Sequence, residues 1–110
     1  MNTPITFYQD PNLVSNSMET GQPSKFQLHQ NYPNPFNPST SISFSIPKAS
    51  HINVVVFDIL GRIVTELADQ RFEVGTHSLT FDASTLSSGT YIYRIEANGE
   101  VLTKKMMLIK

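Results

Sequence analysis

From Phe26 to Lys110 the apolar side chains recur at every second position, and no stretch recurs at helical spacing. A strand turns successive side chains to opposite faces, so this period sorts residues into an inward and an outward set. The pattern restricts the chain to all-β folds. Thr40 to Ile46 is its plainest instance: Ile42, Phe44 and Ile46 share one face, Ser41, Ser43 and Ser45 the other, and Pro47 ends the run. Ile52 to Phe57 is the most apolar run, with Ile52, Val54 and Val56 on one face and Val55 and Phe57 on the other. It is β-branched, uncharged and free of proline. Exposed, it would aggregate, so its place is the middle of a sheet.

Turn chemistry punctuates these runs. Asp58-Ile59-Leu60-Gly61 carries the residues of a type I turn, and Arg62 to Leu67 returns as a strand. Gly75 opens the next strand, with His77, Leu79 and Phe81 on one face. Asp82 to Gly89 reads as a loop in which Asp82 accepts backbone donors near Ser84. Tyr91, Tyr93 and Ile95 then alternate with Ile92, Arg94 and Glu96. Asn98-Gly99 is a strong hairpin signal, because a type I′ turn needs positive φ at both central residues; it predicts pairing of Thr90–Ala97 with Glu100–Ile109. With Phe26–Leu28 this makes about seven short strands in roughly 85 residues, which predicts an immunoglobulin-like β-sandwich of antiparallel strands. A barrel is the second choice.

All seven prolines lie at or before Pro47, and four of the five glycines lie at or after Gly61. Residues 1–25 show no sustained period and read as a linker; residues 26–110 form the domain. Between Phe26 and Thr40 stands Tyr32-Pro33-Asn34-Pro35-Phe36-Asn37-Pro38. Three prolines here remove three backbone donors, so this segment is no central strand. It predicts a rigid connection with Tyr32 and Phe36 pinned onto the domain.

Composition excludes several functions. Charged residues make up 15% and the net charge is −1, so no basic field exists to hold nucleic-acid phosphates. Without cysteine there are no disulfides or thiolate metal sites, and hydrophobic burial must hold a monomer together. No apolar run approaches the ~20 residues that span a bilayer, and Met1-Asn2-Thr3-Pro4 does not begin a signal peptide. His29, His51 and His77 lie far apart, and no phosphate-binding glycine loop or calcium-loop array occurs. Asp58 and Asp82 have turn roles. Tyr91 and Tyr93 with Phe81 and Phe72 read as core rather than as a sugar-stacking platform. No enzyme and no cofactor is expected.

The terminal run Val101–Lys110 is apolar on both faces. Leu102, Met106 and Leu108 fall on one, Val101, Met107 and Ile109 on the other, with Lys104, Lys105 and Lys110 between and beyond them. Two readings fit: a central strand covered on both sides, or an end presented to another protein, added to its sheet edge or seated in its groove.

Phe26 to Lys110 also resembles the type A C-terminal sorting domain of the type IX secretion system. The resemblance runs in order through Tyr32–Pro38, Ile42–Pro47, Val56-Phe57-Asp58-Ile59-Leu60-Gly61-Arg62, Gly75-Thr76-His77, Phe81-Asp82, Ser88-Gly89-Thr90-Tyr91 and Lys104–Lys110. Phe57 stands where the family often has tyrosine. The flagellar hook-cap immunoglobulin-like domain shares the Asp-x-x-Gly-Arg and Gly-x-Tyr patterns but lacks the proline-rich opening and lysine-bounded ending. The resemblance implies an upstream cargo in the same precursor, which crosses the periplasm and is read at the outer-membrane translocon. It also implies removal of the domain by a surface sorting peptidase within residues 1–25. The cargo is then at the cell surface or secreted. Recognition would fall on Lys104, Lys105, Met106, Met107, Leu108, Ile109 and Lys110. Asp58, Gly61, Gly75, Asp82, Gly89, Asn98 and Gly99 would serve as structural turns. The alternative is a non-catalytic accessory or adhesion sandwich of a cell-surface protein.

Overall fold

The structure, a computed structural model, describes residues 23–110. The expected linker at residues 1–25 thus lies almost wholly outside the described residues. Seven strands follow in order among the described residues: β1 (Gln27–Leu28), β2 (Ser39–Ile46), β3 (Ser50–Asp58), β4 (Ile63–Phe72), β5 (Gly75–Asp82), β6 (Gly89–Ala97) and β7 (Glu100–Leu108). No helix occurs among them. They form two antiparallel sheets, ordered β1-β2-β5 and β4-β3-β6-β7. The sheets stay separate, so the fold is a sandwich and not a barrel.

The alternating pattern predicts which side chains fill the space between the sheets. Ile42, Phe44 and Ile46 of β2 meet Ile52, Val54 and Val56 of β3 and Tyr93 and Ile95 of β6, all at most 1% exposed. Full burial of one such side chain stabilises by about 1.5–3 kcal/mol, and this cluster stands in for the missing disulfides. β3 lies between β4 and β6, as its uncharged, β-branched run requires.

β4 is longer than the expected Arg62–Leu67, because in its second half only Ala68 and Phe72 are apolar, with Asp69, Gln70 and Arg71 between them. Its pairing with β3 slips twice. Val55 opposes Glu66 where Val54 opposes Ala68, and Phe57 opposes Ile63 where Val56 opposes Thr65. The extra residues, Leu67 and Val64, are half-buried and pack against the core. Each bulge re-aims one apolar side chain inward and twists the edge away from further pairing.

The opposite flank is closed by the proline-rich segment, which changes sheets. Tyr32 exchanges backbone hydrogen bonds with Ser41 of β2, at 3.0 and 2.9 Å. Four residues on, the Phe36 N–H donates to the Met107 carbonyl at 2.9 Å and the Ile109 N–H donates to the Phe36 carbonyl at 3.0 Å, a parallel bridge to β7. Phe36 is buried at 2% exposure and its ring lies 6.0 Å from that of Phe81. Tyr32 departs from expectation. Its backbone is pinned but its side chain is 81% exposed. One further serine departs too. Ser45 is buried, since its hydroxyl bridges His29 Nε2 at 3.0 Å and the Thr76 hydroxyl at 2.9 Å.

Candidate recognition surface

The terminal strand β7 is the edge of the four-stranded sheet, so the reading of a central strand covered on both sides is corrected. Both kinds of strand carry apolar residues on two faces; only the neighbours differ. The structure divides the seven residues implied for recognition. Met106 and Leu108 are core, each 1% exposed. Lys104 shares their side of the strand and is half-buried. Lys105, Met107 and Ile109 lie on the outward side and are exposed. Lys110 is tied back to the loop after β5: its N–H donates to Ser88 Oγ at 2.9 Å and its Nζ to the Ser84 carbonyl at 2.7 Å.

The backbone edge of β7 between Lys105 and Ile109 is already engaged. Gln30 Nε2 donates to the Lys105 carbonyl at 2.8 Å, and Asn34 Oδ1 accepts from the Met107 N–H at 3.0 Å. With the Phe36 bridge, these bonds occupy the groups that an added strand would use. Along this stretch the face of the sheet is open and its edge is not.

The crossover that seals the edge is itself held by Tyr93. The phenol donates to the His29 carbonyl at 2.7 Å and accepts the Asn31 N–H at 2.8 Å. Burial pushes the Tyr93 hydroxyl up to about 12. The Asn31 side chain donates to the Pro33 carbonyl at 3.1 Å and to Thr40 Oγ1 at 3.0 Å. Asn31 and Asn34 carry no such signal in the sequence, where an asparagine near proline is usually just a turn former.

The turn residues have these partners and backbone angles. At the β3–β4 hairpin, Asp58 Oδ1 accepts the Leu60 and Arg62 N–H groups, each at 2.9 Å, and Oδ2 accepts Arg62 Nε at 2.7 Å. The Arg62 amide above all, with the Arg62 guanidinium and Leu60 amide, holds the Asp58 carboxyl below its ordinary value. Gly61 donates to the Asp58 carbonyl at 3.0 Å and takes φ +85°. Asn98 and Gly99 take φ +52° and +82°, the type I′ geometry of the β6–β7 hairpin. Asp82 Oδ1 accepts the Ser84 N–H at 2.9 Å. Gly75 and Gly89 open β5 and β6.

Phe81, Tyr91 and Tyr93 are buried, which removes the sugar-stacking platform. Among the described residues no three His, Asp or Glu side chains converge as metal ligands.

A comparison with curated proteins returns no match. The family described as the secretion system C-terminal sorting domain matches residues 30–110, from the start of the sealing crossover through the last residue of β7's extension. The two-sheet sandwich and that match over most of the sequence lead to one conclusion: the chain belongs to the C-terminal sorting domains of the type IX secretion system, a family of export signals and not of catalysts.

Proposed function

We propose that this sorting domain is read by the outer-membrane translocon of the type IX system through its terminal strand, Lys104–Lys110. The outward residues Lys105, Met107 and Ile109 make the contact. Met106 and Leu108 hold the strand in the core, and Lys110 is held by the loop after β5. The observation that carries this reading is the outward face of β7: one cation and two large apolar side chains stay exposed on a strand whose inward side is buried. An unpartnered apolar face at a sheet margin fits a docking role.

In this reading an upstream cargo in the same precursor passes through the periplasm with the domain. A surface sorting peptidase then cuts within residues 1–25. The domain performs no catalysis, needs no cofactor and works as a monomer. A core held by packed apolar side chains and internal hydrogen bonds supports this, because such a tag folds behind any cargo.

The test is a reporter carrying a signal peptide and fused to residues 1–110. In a host with the type IX machinery the reporter is expected at the cell surface or in the medium, and in an isogenic host without it, in the periplasm. Retention in the periplasm of the competent host would refute the reading.

A further inference from the structure

The outward face of the four-stranded sheet carries a row that crosses all four strands. Ile63 of β4 opposes Phe57 of β3, Phe57 opposes Ile92 of β6, and Ile92 opposes Lys105 of β7. Cross-strand partners lie side by side on one face, so the row is continuous. Beside it the β3–β4 turn lifts Ile59 and Leu60 into solvent at 71% and 74% exposure. Ile59, Thr90, Ile92, Lys105 and Met107 line a groove of about 580 Å³ there.

Two features distinguish this face from scattered surface apolars. The first is preorganisation. Asp58 clamps the turn with three hydrogen bonds of 2.7–2.9 Å, so Ile59 and Leu60 are displayed on a fixed frame and lose little freedom on binding. Both side chains are mostly exposed. The second is charge. Lys105 ends the row, and the Arg94 guanidinium stands 4.8 Å from the centre of the Phe57 ring. Neither cation forms an ion pair among the described residues, whereas Arg62 is matched by Asp58. Of the acidic residues on this face, Glu66 is engaged by Asn53 Nδ2 at 2.8 Å, Asp69 by the His51 imidazole, and Glu96 lies four residues along β6 from Ile92. A second copy would have to meet Lys105 with a carboxylate of this same face, where Glu66 and Asp69 are already engaged.

We infer that this face docks a segment of the export machinery that carries apolar side chains with a carboxylate beside them: the apolar groups enter the Ile59–Ile92–Met107 groove and the carboxylate meets Lys105. The inference rests on the sorting role and extends the recognition surface from β7 to the β3–β4 turn and β6.

The test uses the reporter fused to residues 1–110 in the competent host. The double variant Ile59→Ser/Leu60→Ser and the variant Lys105→Glu are each expected to lower the exported fraction at least ~10-fold, a margin set by a few buried contacts of a hot spot. Lys105→Arg keeps the cation and is expected to be exported better than Lys105→Glu, and Thr80→Glu, on the outward face of the other sheet, is expected to stay within about 2-fold of wild type. All these positions are exposed, and the melting temperature of each purified variant is expected within about 4 °C of wild type. Export of the double variant at the wild-type level overturns the surface; equal export of Lys105→Glu and Lys105→Arg overturns the acidic partner. Should the double variant melt well below wild type, Ile59→Ser alone replaces it under the same criterion.

A separate measurement does not depend on export. A hexapeptide alternating leucine and glutamate is expected to shift the Ile59, Leu60, Ile92 and Met107 amide resonances of the full chain, and its leucine–lysine counterpart is not. If wild type itself fails to export, the sorting role falls, and the surface then stands or falls on this titration: equal shifts, or none, overturn it. Concentration-dependent dimerisation abolished by the double variant assigns the face to a second copy and overturns the proposal. Shifts of the same amides on deleting residues 1–22 assign it to that segment, with the same consequence.

Discussion

Tyr93 shows how one phenol can hold a stretch of chain that has no regular pairing of its own. Its hydroxyl satisfies a buried N–H at Asn31 and a carbonyl at His29, more than sixty residues away. Tyr93→Phe leaves both without a partner, at about 1–3 kcal/mol per unsatisfied buried group. Urea unfolding is expected to show a loss of about 2 kcal/mol or more with an unchanged m-value; a loss under ~0.5 kcal/mol would contradict the role. The hydroxyl's value of about 12 lies above the ordinary 10, so the neutral form is favoured in the folded chain. The stabilisation is complete below pH 10 and fades as pH rises toward 12, and alkaline unfolding should track phenolate formation. Asp58 behaves in the opposite sense. Its carboxyl is depressed, so its contribution is present above the unfolded value of about 3.9 and disappears as pH falls through the lower folded value. Asp58→Ala should therefore melt below wild type at neutral pH, and the gap should close in strong acid. At Gly61, φ +85° is a conformation that a β-branched side chain resists, and Gly61→Val is expected to cost more than ~1 kcal/mol although nothing lies near the added Cβ.

At the scale of elements, the period of two places every main strand, and the hairpin at Asn98-Gly99 fixes the register of β6 with β7. Those features are local, and local chemistry dictates them. What is not local stayed hidden. The apolar pattern of Val101–Ile109 describes equally a central strand and an edge strand with an exposed face, because alternation encodes faces and not neighbours. Leu67 and Val64 sit out of phase with their strand, and only the partner strand reveals the bulges. The outward row from Ile63 to Lys105 draws on four strands and so has no signature in any one of them. The proline-rich crossover was legible as rigid and non-central, but not as the seal of a sandwich flank. Its anchor can be tested. Phe36 is buried against Phe81, and Phe36→Ala is expected to cost about 3–5 kcal/mol by equilibrium unfolding. Freed of the seal, the β7 edge exposes unpaired backbone groups, so the variant should also aggregate faster than a core variant of equal stability loss, such as Ile95→Ala. Equal aggregation rates would mean that the crossover adds only packing.

For the whole molecule, the question is whether the terminal lysines are read by the export machinery or merely keep the end soluble. Truncation cannot decide it. Removing Lys105 through Lys110 deletes Met106 and Leu108, both 1% exposed, and with them one wall of the core. A truncated domain that stays in the periplasm has simply failed to fold. Replacing Lys104, Lys105 and Lys110 by alanine leaves that wall intact. Among the described residues none of the three forms an ion pair, and the one side-chain hydrogen bond lost is the exposed bond from Lys110 Nζ to Ser84. The Lys110 N–H keeps its bond to Ser88 whatever the side chain. Stability is therefore expected to change by less than ~1 kcal/mol. If the triple variant melts normally and the reporter stays in the periplasm, charge at the end of β7 is part of the signal. Normal folding with normal export would make the lysines solubilising residues and leave recognition to the apolar face. Met107→Ser separates the remaining cases. It keeps all three charges and removes only an outward thioether, so loss of export there but not in the triple variant locates the signal in the groove.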